Sequence, residues 1–151
     1  MKSFRVRVTA CIASLFALAF LSIPSAFAAD IPSERDQDVM IRSTLATFND
    51  ANMANNYTVL MAKASRQLQM QVTQEKFQTV FASFRDKQLF FEDIITASRD
   101  SSEAARFDDE GALVLAGTFK TEEWKVKYSL RFVLNAKVWK LLGLNVNTSN
   151  T

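Results

Sequence analysis

Apolar residues recur at helical spacing in the first half of this chain and at alternate positions in the second half. Ile41, Leu45 and Phe48 stand four and three residues apart, which predicts one apolar stripe on a helix over 33–52. Pro32 and Ser33 fall where helices start, and Glu34, Asp36 and Asp38 suit the positive end of the helix dipole. Asn52, Asn55 and Asn56 are expected to break that helix. A short helix over 57–64 follows, carrying Val59, Leu60 and Met61, and residues 65–71 are ambiguous. Thr73 is placed to cap a third helix, with Val72 and Phe77 as a hydrophobic staple. Phe77, Val80, Phe81 and Phe84 fall at i, i+3, i+4 and i+7 and give it a nearly all-aromatic face.

Beyond residue 86 the pattern predicts strands. The stretch 89–98 holds Phe90, Phe91, Ile94 and Ile95 and reads as the first of them. Asp108, Asp109, Glu110 and Gly111 form a turn, and 112–121 follows as a strand with Leu113, Val114, Leu115 and Phe119. Over 124–134 the alternation is clean. Trp124, Val126, Tyr128, Leu130, Phe132 and Leu134 share one face; Lys125, Lys127, Ser129 and Arg131 share the other. Asn135 and Ala136 turn the chain into a last strand over 138–146. There Lys140, Leu142, Leu144 and Val146 are assigned to one face and Trp139 and Leu141 to the other. Helices first and an antiparallel meander afterwards make an α+β fold of one domain, with the aromatic helix face covering the sheet.

Residues 1–28 read as an export signal. Lys2, Arg5 and Arg7 precede an uncharged stretch over 8–23, and Ala26-Phe27-Ala28 supplies small residues for cleavage after Ala28. The domain is then 29–151, and the protein is expected to be exported to a periplasm or secreted. Loss of those three cations takes the basic residues from 18 to 15 against 16 acidic ones, so net charge moves from +2 to −1. The basic balance therefore belongs to the signal and is no argument for nucleic-acid binding. Cys11, the only cysteine, leaves with it.

Several chemistries are excluded by what is missing. With no His, and no Cys after residue 28, the chain has no Ser-His-Asp triad, no thiol nucleophile and no Cys- or His-ligated metal. Three glycines make no phosphate loop. No cofactor and no metal are expected. The acidic turn at 108–110 lacks the spaced ligands of a calcium loop.

The tail Val138-Trp139-Lys140-Leu141-Leu142-Gly143-Leu144-Asn145-Val146 is similar to the W-K-L-x-G-x-x-V last strand common in the NTF2-like superfamily. The strands over 111–115 and 124–132 resemble its partner hairpin. The stretch from Asn52 to Tyr57 resembles its link between the first two helices, with Asn-Asn where Gly-Asp is usual. The resemblance covers most of 33–147. It implies a curved sheet wrapped round the helices, the cystatin-like α+β cone, with an open apolar end. Members of that family use the cone as a small-molecule enzyme site or as a binding or assembly module, and fold alone does not choose.

Within such a cone, Phe81, Phe84, Phe119, Trp124, Tyr128 and Tyr57 are the candidates to line a ligand pocket; packing as plain core is the competing reading. Glu92 or Asp93, one of which a strand would turn inward, is the candidate general base, with Tyr128 supplying a hydroxyl. Solvation, or pairing with Arg85 or Lys87, is the alternative for both acids. Lys120, Lys125, Lys127, Arg131, Lys137 and Lys140 make a basic strip that would contact anionic lipid; as an ordinary solvated face it instead blunts sheet pairing. The expectation is a non-enzymatic exported module that binds a small apolar or amphipathic ligand or an envelope protein, with a homodimer also open. The alternative is an isomerase or cyclase with a carboxylate base.

Overall fold

Ser33 opens the first helix in the computed structural model, which describes residues 29–151; the expected export signal lies outside the described residues. The Ser33 hydroxyl accepts from the Asp36 amide, capping α1 (Glu34–Ala54). Ile41, Leu45 and Phe48 form its buried stripe as the spacing predicts. Asn52 does not end the helix. It lies buried inside α1, its Nδ2 donating to the Phe48 carbonyl and its Oδ1 accepting from the Tyr57 hydroxyl. The stop comes at Asn55, which takes the left-handed conformation at φ 49°.

Four short helices follow: α2 (Thr58–Lys63), α3 (Arg66–Gln71), α4 (Gln74–Val80) and α5 (Ala82–Asp86). Thr73 caps α4 through its hydroxyl, which accepts from the Lys76 amide. The expected single third helix is two helices, broken at Phe81 (φ −102°, ψ 16°). The break turns Val80 out to 55% exposure while Phe77, Phe81 and Phe84 stay buried, so the aromatic face is three residues rather than four.

The strand expected over 89–98 is not a strand. Glu92–Ile95 is a turn of 3-10 helix. Phe91 and Ile94, three apart, are its buried positions, which is the period of that helix and not of a strand. Its backbone is satisfied from α1. The Asn49 side chain accepts from the Phe91 amide at 2.8 Å, and Arg42 donates to the carbonyls of Ile94, Ile95 and Ala97.

The sheet is wholly antiparallel, built from β1 (Ser98–Ser102), β2 (Arg106–Phe107), β3 (Leu113–Lys120), β4 (Trp124–Asn135) and β5 (Val138–Asn150). The order is β1-β3-β4-β5, with β2 on the same edge of β3 as β1, and the sheet does not close. Val126, Tyr128, Leu130 and Phe132 of β4 pack under the helices, as the alternation predicts. The face assignment for the last strand needs correcting. Phe132 pairs with Leu141 while Arg131 pairs with Gly143, so Leu142 is an extra residue, a β-bulge. The bulge reverses the phase. Trp139 and Leu141 before it, and Leu144 and Val146 after it, all pair with residues of the helix-covered face of β4. Phe107 and Trp139, on opposite edges with β3 and β4 between them, bring their rings to 6.4 Å. Strands spaced ~4.8 Å apart would hold them farther apart on a flat sheet, so the sheet curls toward the helices at this end.

Candidate functional site

The interior between helices and sheet is filled by rings. Phe48 sits edge-on to Phe81 at 4.7 Å and to Phe84 at 5.2 Å; Tyr57, Phe77 and Phe81 stack beside it. Phe119 stacks on Tyr128 at 5.4 Å, and the Arg42 guanidinium lies 4.6 Å from the Phe119 ring centre. Five of the six ring residues expected to line a pocket, Phe81, Phe84, Phe119, Tyr128 and Tyr57, thus pack against other rings. The Tyr57 hydroxyl is engaged by Asn52 and Arg85. Burial pushes its pKa up, and the Arg85 charge pulls it part of the way back. Tyr128 is 2% exposed and its hydroxyl has no partner among the described residues. Its pKa too is raised by burial, and the charges that act on it are those of Arg99, Asp38, Arg42 and Glu103.

Glu92 and Asp93 stand elsewhere. Ile94, not either acid, is the residue the 3-10 turn buries. The Asp93 carboxylate accepts from the Glu122 amide at 2.8 Å, and Glu92 is exposed. Together with Trp124, Phe90, Glu122 and Glu123 they line an open cleft of about 340 Å³. The structure therefore brings Glu92, Asp93 and Trp124 together and leaves Tyr128 out of that cleft's lining.

A different cleft occupies the end of the sheet where Phe107 and Trp139 meet. Met40, Ser43 and Thr44 of α1, Lys63 of α2, Phe132 of β4 and Val138 to Leu141 of β5 enclose about 230 Å³. The sequence builds it in three steps. Positions 40, 43, 44 and 47 share one face of α1, and this face trades the apolar stripe for hydroxyls. The two-residue turn at Ala136 and Lys137, both at positive φ, starts β5 at Val138 and pairs Trp139 with Leu134. The amide of Ser65 donates to the Leu141 carbonyl at 2.7 Å, tying the end of α2 to the β5 edge and closing one side. Beyond this tie the apolar side chains run out into solvent: Phe107 is 37% exposed, Leu134 41% and Val138 53%.

The rim is polar on the helix side. Lys63 Nζ donates to Thr47 Oγ1 at 2.6 Å and lies 3.3 Å from the Ser43 carbonyl oxygen, so the ammonium is held against α1. Thr44 is 5% exposed and lines the cleft, and none of the hydrogen bonds among the described residues engages its hydroxyl. Sequence reasoning named none of Met40, Ser43, Thr44 or Lys63 as site residues. The α1 spacing and the two apolar phases of the last strand are the signals that point to them.

The basic strip is divided. Arg131 forks to Asp108 at 2.7 Å and Glu110 at 2.6 Å, and Lys125 stands 3.9 Å from Asp100. Asp108 also accepts from the Ala112 amide. That bond first, and Arg131 after it, hold its carboxyl below the usual aspartate range. Among the described residues no group of three or more His, Cys, Asp or Glu is arranged to hold a metal ion, and no helix is long and apolar enough to cross a membrane. Compared with protein-family models, with curated proteins and with solved structures, the chain matches none.

Proposed function

We propose that this chain is an exported, non-enzymatic binding module of the NTF2-like kind that takes a small apolar or amphipathic molecule into the cleft between α1 and the β4–β5 hairpin. One observation carries the reading. Rings fill much of the helix–sheet interface, and at this end Phe132 and Leu141 of the core, with the partly buried Met40 and Trp139 packed against it, also line an open cleft. An apolar surface left in water beside a cleft is where an apolar ligand gains most. At 230 Å³ the cleft is smaller than the pockets that swallow drug-sized ligands, so it suits one ring or a short alkyl segment with the rest of the molecule outside.

Apolar surface buried there favours binding by about 25 cal/mol per Å², before the cost of association. The lack of His and of a thiol in the exported chain supports a binding role over a catalytic one. The test is native mass spectrometry of the protein taken from the cells that make it. The reading expects an added mass that is lost on denaturation and is absent from a Trp139→Ala variant. An added mass that the variant retains in full would place the ligand elsewhere.

A further inference from the structure

The head group of the molecule bound in this cleft is a separate question, and its answer rests on the reading just given. The cleft is apolar on the sheet side, where Phe132, Trp139 and Leu141 face in. On the helix side it presents Ser43, Thr44 and Lys63, and its lining contains no Asp or Glu. Lys63 has no carboxylate within ion-pair distance among the described residues; its partners are the uncharged oxygens of Ser43 and Thr47. Those bonds orient the ammonium without neutralising it. Lys140 also borders the cleft, but its register partner is Val133, on the face away from the helices, so Lys63 is the cation that counts.

A positive charge held in place, the Thr44 hydroxyl in the lining and an apolar wall, all on one small cleft, complement one kind of molecule. We infer that the site takes a single-chain amphiphile with an anionic head, a long-chain carboxylate. Its alkyl segment lies against Trp139, and its carboxylate accepts from Lys63 Nζ and the Thr44 hydroxyl. A neutral amphiphile of the same chain would fill the wall and leave the charge unanswered. A cationic one would set like charges together.

The experiment uses the exported chain with Trp124→Phe, which leaves Trp139 as its one tryptophan. Its fluorescence is followed during titration with dodecanoate, dodecanol and dodecyltrimethylammonium, each below its micelle concentration. Dodecanoate is expected to bind more tightly than dodecanol, and the quaternary ammonium least. Lys63→Met should weaken dodecanoate about fivefold, the size of effect an exposed ion pair supports, without a matching loss for dodecanol. Retained dodecanol binding also shows that the variant is folded. Equal affinities for dodecanoate and dodecanol would overturn the anionic head while leaving the apolar cleft standing. No fluorescence response to any of the three would overturn the cleft itself. Binding to phosphatidylglycerol vesicles without binding to free dodecanoate would contradict the inference in favour of a membrane surface.

Discussion

The two ends of the space between helices and sheet are made of similar residues and behave differently. Around Phe48 the rings of Phe81, Phe84 and Phe91 stand 4.7 to 6.3 Å from its own, and all four are buried. Trp139 meets Phe107 ring to ring and, with Phe132, Leu141 and Met40, lines a cleft that stays open. Composition does not separate the regions. What does is exposure: Phe77, Phe81 and Phe84 at and between α4 and α5 are buried at one end, while Leu134 and Val138 of the hairpin are 41% and 53% exposed at the other. The same kind of side chain is core where its neighbours close over it and a cleft wall where they do not.

The contrast predicts a large difference in stability. Phe48→Ala, at a site with no exposure, should cost about 3–5 kcal/mol in denaturant unfolding, because the surrounding rings cannot collapse into the gap. Trp139→Ala should cost far less, about 1 kcal/mol, since solvent already reaches that side chain. Comparable losses at the two sites would abolish the distinction.

The packed end also has a seam that tolerates no added volume. Gly117 faces Tyr128 across β3 and β4, and a Cβ there would lie 2.5 Å from the Ser101 carbonyl oxygen and 2.8 Å from the Tyr128 hydroxyl. Gly117→Ala should therefore destabilise by about 1–3 kcal/mol. Tyr128→Phe removes a hydroxyl that has no partner, so alone it should be close to neutral. In the double variant it should recover only part of the loss, because the Ser101 backbone remains in the way. Thermal or urea unfolding of the three variants measures this directly.

The smallest effect belongs to the open end, which polar bonds brace. Asp108, next to Phe107, has its carboxyl held below its ordinary range by the Ala112 amide and Arg131. A depressed carboxyl favours the folded state at pH values above its unfolded value. That contribution is lost as pH falls through the folded one. Urea midpoints taken from neutral pH down through the carboxylate range should show a shallower acid decline for Asp108→Asn than for the parent. Parallel declines would remove Asp108 from the account.

Much of the fold can be read from the chain because it rests on local periodicity. The stripe of α1, the cap at Thr73 and the alternation of β4 are patterns a few residues long, and the structure contains all three. What could not be read depends on partners distant in sequence. Residues 89–98 look like a strand because Phe91 and Ile94 are apolar, but Arg42 and Asn49, some fifty residues earlier, supply the bonds that make a turn of 3-10 helix there. Asn52 looks like a helix breaker and is instead the buried partner of Tyr57. The bulge at Leu142 leaves no local mark except two apolar phases in one strand. The candidate site was hidden for the same reason. Its walls come from α1, α2, β4 and β5, and aromatic content alone directs attention to the rings that are packed.

The most direct test of the claim that the open end binds and the packed end does not is a residue-resolved one. Amide chemical shifts of the isotope-labelled protein would be recorded during titration with dodecanol, which probes the apolar wall without regard to charge. The account predicts perturbations gathered on Met40, Thr44, Lys63, Trp139 and Leu141, with Phe48, Phe81 and Tyr128 unmoved. Shifts gathered instead on Phe119 and Tyr128, or on Glu92, Asp93 and Trp124, would contradict it.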